Sequence, residues 1–181
     1  MFSNMDVLSY SLAAVTFGLL GVLVATRYLR RGVDRALALA AVMTSVWALT
    51  LVSQSLWGHP GFNFRYLVEL TRDASWIYLL FVLLKDGLRE KQLTGNLKKI
   101  LGACAGVLIF VLLSIGIIEH TTEIDIASGK VKLLGQIGLS LLGLSLVEQI
   151  WRNSPSFGRS SIKYICIGIA TIFGFDFFMY A

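Results

Sequence analysis

Proline, cysteine and histidine occur only twice each in these 181 residues, and each shortage excludes something. Pro60 and Pro155 both fall between apolar runs, so no proline is expected to kink a helix. Cys104 and Cys166 sit alone in separate runs. Neither a disulfide framework nor a metal-ligand spacing is available to them, and both read as small apolar packing residues. His59 and His120 are isolated loop residues. Only His120, beside Glu119 and Glu123, leaves weak metal binding or pH sensing open. Charge is scarce as well: 15% of residues are charged, 56% are hydrophobic and mean hydropathy is +0.73, a balance that excludes an ordinary soluble domain.

What the chain has in place of these is six long apolar stretches, Val7 to Thr26, Ala36 to Trp57, Tyr66 to Leu84, Ile100 to Ile118, Leu133 to Trp151 and Ile162 to Tyr180. Each matches the ~20 residues that an α-helix needs to cross a bilayer core. Backbone polar groups in lipid must be satisfied within helices or closed barrels. Runs such as GVLIFVLLSIGII are apolar on every face, which rules out the alternation of a barrel strand. The expected fold is all-α, a six-helix polytopic membrane bundle. With connections too short for any soluble module, residues 1–181 form one integral membrane domain.

A net charge of +5 could point to nucleic acid, but its distribution points to lipid. Arg27, Arg30, Arg31 and Arg35 follow the first stretch; Lys85, Arg89, Lys91, Lys98 and Lys99 follow the third; Arg152, Arg159 and Lys163 follow the fifth. Twelve of the 16 basic residues thus occupy alternate loops. The other loops carry Arg65, or Lys130 and Lys132 diluted by Glu119, Glu123 and Asp125. By the positive-inside rule the basic loops face the cytoplasm and the N-terminus lies outside. MFSNMD lacks a basic residue, so the first helix does not read as a cleaved signal. An even number of crossings puts Ala181 outside too, and an ending on the last helical turn suggests a fragment of a longer polypeptide.

Polar residues within the stretches are costly in a bilayer, at ~3 kcal/mol for a central charge, and they usually turn inward and pair. Glu69, Arg72, Asp73 and Trp76 are spaced i, i+3, i+4 and i+7, on one helical face. Arg72 can reach both carboxylates. At ~1.5 Å rise per residue, Asp73 lies about 10 Å inside the outer boundary, and Asp176 on the sixth stretch falls at a similar level. Gln54 and Gln136 complete a polar layer in the outer half. This layer is either a signal or ligand cluster, or interhelical glue that fixes helix partners without binding anything.

Glu148 and Arg152, at i and i+4, suit a helix-end ion pair with Trp151 as interfacial anchor. Gly102 with Gly106, and the glycines at 135, 138 and 143, permit close helix approach. No group of metal ligands, Ser-His pair or paired midplane aspartates suggests catalysis in the membrane.

The segment LVEQIWRNSPSFGRSSIKYICIGIATIFGFDFFMYA, Leu146 to Ala181, resembles the sensor histidine kinases of the bacterial PEP-CTERM (exosortase) system. The shared features are VEQ, an aromatic or leucine and RN closing a helix, an IK-aromatic start to the next, and a D-x-x-x-YA ending. ELTRDASWIYLLFVLL on the third stretch resembles the family's ELLRDAAW-type run. The resemblance covers about a third of the chain closely and the rest by helix count. It implies further membrane helices, a GAF-type domain and a dimerising kinase core beyond Ala181, with an odd number of further crossings. ATP, magnesium, homodimerisation and a cognate response regulator all belong to that core; no phosphoacceptor helix or ATP lid lies in these residues.

The resulting expectation is the membrane input or anchor domain of a sensor kinase in the bacterial inner membrane. It would couple an outer-side or intramembrane cue to the kinase, with no catalytic residue, cofactor, metal or nucleic-acid partner of its own. The rival class is a small multi-helix transporter or channel. That class is expected to show discontinuous helices and inverted repeats, neither of which is evident here.

Overall fold

The computed structural model describes residues 2–27, 32–57, 62–87, 102–103, 105–112, 114–115, 117, 129–153 and 159–181. All but Ala181 are helical. The helices are α1 (Phe2–Arg27), α2 (Gly32–Trp57), α3 (Phe62–Gly87), α4 (the described helical residues from 102 to 117), α5 (Gly129–Asn153) and α6 (Arg159–Tyr180). Each delimited helix begins about one turn before its apolar stretch. Hydropathy marks the lipid-facing length, whereas backbone hydrogen bonding carries the helix on into polar flanks. Both histidines, both prolines, Cys104 and the basic residues Arg30, Arg31, Arg89, Lys91, Lys98 and Lys99 lie outside the described residues.

Among the described residues, four helices are long and apolar enough to cross a membrane: Val7–Thr26, Gly32–Trp57, Lys130–Arg152 and Lys163–Tyr180. α3 falls short of that measure because Glu69, Arg72 and Asp73 interrupt it, and α4 is described only in part.

The chain divides into two compact units. One includes Met1–Ser75; the other includes Trp76–Ile115 and Asp125–Ala181. In the first, α1 packs against α2 through small residues. Ala14 and Gly21 are the buried positions on the described part of α1, while Leu8, Leu12, Val15, Leu19 and Val22 point outward. On α2 the buried residues include Ala36, Ala38, Ala40, Ala41 and Ala48, and the Ala38 carbonyl lies 3.7 Å from where a β-carbon at Gly21 would stand. A β-carbon at Gly21 would lie 2.9 Å from Val42 Cγ2, and Ser45 Oγ donates to the Ala14 carbonyl at 2.8 Å. Small residues inside and large apolar residues outside suit lipid, where association depends on close contact and interhelical hydrogen bonds and no longer on expelling water.

The second unit repeats the logic with larger side chains. A β-carbon at Gly135 would meet Leu112 of α4 at 2.5 Å. At Gly143 it would lie 2.6–2.7 Å from three ring carbons of Phe173 on α6, one of the fully buried side chains. Lys163 Nζ lies 5.7 Å from the Trp151 ring centroid, so positions that descend along α5 meet positions that ascend along α6. The two helices are antiparallel. Of the glycines expected to permit close approach, Gly135 and Gly143 do so, whereas Gly106 has no neighbour within 4 Å.

Replacing glycine by alanine inside a helix ordinarily gains about 1 kcal/mol. At Gly143 the Phe173 ring has no room to yield, and overpacking costs about 1–3 kcal/mol. Gly143→Ala should therefore lower the thermal unfolding midpoint in detergent, while Gly106→Ala should hold or raise it. Adding Phe173→Leu should recover part of the Gly143→Ala loss.

Candidate functional site

α3 holds three ionisable side chains out of contact with the exterior: Glu69, Arg72 and Asp73 are 6%, 2% and 3% exposed. Arg72 donates from Nε at 3.1 Å and from Nη2 at 2.8 Å, both to Oδ1 of Asp73. Adjacent residues on a helix point about 100° apart, so the arginine must curl around the helix to reach its neighbour. That curl lays the guanidinium over Trp47 of α2, with Cζ 4.3 Å from the ring centroid. Tyr10 of α1 meets the same indole edge-on at 6.0 Å and 87°. A column Tyr10–Trp47–Arg72–Asp73 thus crosses three helices of the first unit.

The parts of this column reinforce one another. A guanidinium removed from water keeps the Asp73 charge as one partner and the negative face of an indole as another, the latter worth ~2 kcal/mol when desolvated. Ser75 Oγ donates to the Arg72 carbonyl at 2.6 Å, tightening the same turn. Arginine suits this position better than lysine because its planar group can stack and donate at once.

The expected polar layer is divided between the two units. Glu69, Arg72, Asp73 and the half-buried Gln54 belong to the first; Trp76, Gln136 and Asp176, all buried, belong to the second. Of the expected partners, Arg72 and Asp73 are joined directly. Trp47 and Tyr10 are part of the site and were not anticipated. Trp47 is an aromatic in the middle of its stretch and Tyr10 one near the start of its own, and sequence alone reads both as packing residues. Lys132 needs correction in the other direction: read as a diluted loop charge, it is buried on α5, while Lys130 two residues earlier is exposed. Register decides this, since Lys132 shares a helical face with Gln136 and Ser140.

At the far end of α5, Arg152 Nη1 donates to Glu148 Oε1 at 3.3 Å, with both side chains largely exposed. This is the expected helix-end pair, and pairs of this kind contribute only about 0.3–0.5 kcal/mol. Among the described residues, no three His, Cys, Asp or Glu side chains are grouped to hold a metal ion. No family model, curated protein or solved structure matches the chain.

Removing one member of a buried ion pair leaves the other charge stranded, at a cost of about 3–5 kcal/mol, whereas removing both is often close to neutral. Arg72→Leu should therefore destabilise strongly, and Arg72→Leu with Asp73→Leu should recover most of the loss. A double-mutant cycle of unfolding in mixed micelles measures the coupling. Arg72→Lys should recover less than half of the Arg72→Leu loss, because an ammonium cannot both stack on Trp47 and donate twice to Asp73.

Proposed function

We propose that this chain is the multi-pass input domain of a sensor histidine kinase of the PEP-CTERM type, lying in the bacterial inner membrane. It spans the bilayer six times, with its N-terminus on the outer side. The observation that carries this reading is the Arg72–Asp73 pair held under Trp47. A helix that gives up span-like apolarity to keep three buried ionisable groups does so at an energetic cost, and intramembrane charges of this kind are functional more often than surface ones. The run that carries the family resemblance on α3, Glu69 to Trp76, is also the run whose side chains turn inward: Glu69, Leu70, Arg72, Asp73, Ser75 and Trp76 are all buried.

In this reading a cue acts through unequal affinity for two arrangements of the helices. Each unit holds its own part of the switch, Glu69, Arg72 and Asp73 in the first and Asp176 in the second, because changing the partner of a buried charge alters the relative stability of two packings by more than an apolar contact does. Displacement of α6 then passes to the segments that precede the kinase core. ATP and magnesium bind in that core, as does the response regulator, and it is there that two copies of the chain pair.

Two measurements test the proposal. In cells expressing the full gene, Arg72→Ala and Asp176→Asn should each change cognate-regulator phosphorylation severalfold, which amounts to a shift of about 1 kcal/mol or more between two states. Unchanged phosphorylation across conditions, with normal protein levels, would count against the switch. For the topology, a cysteine at Arg30 should resist membrane-impermeant maleimide in intact cells; labelling from outside would invert every assignment of inner and outer ends.

A further inference from the structure

Most hydroxyls within these helices are satisfied inside their own helix. Thr16, Thr44, Ser53, Ser114, Ser145 and Thr171 each donate to the carbonyl four residues back at 2.8–3.0 Å. A carboxamide is too long and has too many hydrogen-bonding positions for this solution. Gln136 of α5 is 2% exposed, and neither its Nε2 nor its Oε1 has a hydrogen-bond partner. Four residues on, Ser140 is equally buried and donates to the Gln136 carbonyl at 3.0 Å, which leaves its oxygen lone pairs to accept. Beyond Ser140 the same face turns apolar, with Gly143, Leu146, Val147 and Ile150.

The antiparallel register adds a third group. One turn before Gly143 stands Ser140, and one turn after Phe173 stands the buried Asp176, so the hydroxyl and the carboxylate share a level within the second unit. We infer that Gln136, Ser140 and Asp176 line a hydrated site inside this unit, occupied by ordered water that both donates to and accepts from the Gln136 amide. Water supplies in one small molecule the acceptor that Nε2 needs and the donor that Oε1 needs. The occupant must be small, because the flank of α5 beside Gln136 is closed by Leu112 against Gly135 and by Leu108 against Gly138. The site gives water access to the level of Asp176, a titratable group on α6. It stands independently of the signalling reading.

X-ray hydroxyl-radical labelling in ¹⁸O water tests this on the purified full chain in detergent, where membrane topology plays no part. With Cys104 and Cys166 replaced by alanine, Ser140→Cys should oxidise about tenfold faster than Leu146→Cys, although both positions are buried, because radicals form from the water beside it. Gln136→Leu in the Ser140→Cys chain should bring the rate down to that of Leu146→Cys. Equal, slow oxidation at positions 140 and 146 would overturn the inference, as would fast oxidation at 140 that ignores Gln136→Leu. If Ser140→Cys does not fold, the Phe173 ring of the unaltered chain serves as reporter. Its oxidation should fall with Gln136→Leu; oxidation of Phe173 that ignores Gln136→Leu would again overturn the site.

Discussion

Every polar group on these helices must find its partner within the chain or in a bound water, because lipid offers none, and this requirement organises the rest of the structure. Short hydroxyls meet it inside their own helix by bonding back one turn. Ser45 meets it between helices, and in doing so ties α2 to α1 at Ala14. Arg72 takes a local partner, Asp73 on its own helix, and a second one, Trp47, on another. The larger and more charged the group, the more of the fold it recruits.

The same requirement explains why packing looks inverted relative to a water-soluble bundle. Leucine and valine gain little by facing another helix when lipid tails are equally apolar, so α1 turns its large residues outward and buries Ala14 and Gly21. Close approach then concentrates adhesion in a few places. Gly21 lies against Val42, Gly135 against Leu112 and Gly143 against the ring of Phe173. Aromatic side chains enter where a glycine gives them a seat or where a cation needs a π face, and for this reason Phe173 and Trp47 are structural centres of their respective units.

Much of this was legible in the residues themselves. The apolar stretches mark the helices to within about a turn, since helical hydrogen bonding and lipid exposure impose the same length scale. The spacing of Glu69, Arg72 and Asp73 marks an inward face, and Glu148 with Arg152 marks a helix-end pair, because both are local consequences of helical periodicity. Trp47 was not legible as a partner of Arg72. Its contact joins two helices, and nothing in the periodicity of α2 distinguishes a tryptophan that stacks on a guanidinium from one that merely fills space.

The sequence by itself determined an all-helical chain, the length and place of its apolar helices, and which residues would be expensive to leave unpaired; these depend on composition and on a repeat of 3.6 residues, both local properties. Only tertiary structure decided that Arg72 curls to Asp73 beneath Trp47, that Lys132 is buried while Lys130 is exposed, that Gly143 and not Gly106 admits a neighbour, and that Gln136 has no partner on the chain. Each of these depends on the rotation and register of one helix against another. A turn of a few tens of degrees about a helix axis would change all of them and leave every local pattern in the sequence as it is.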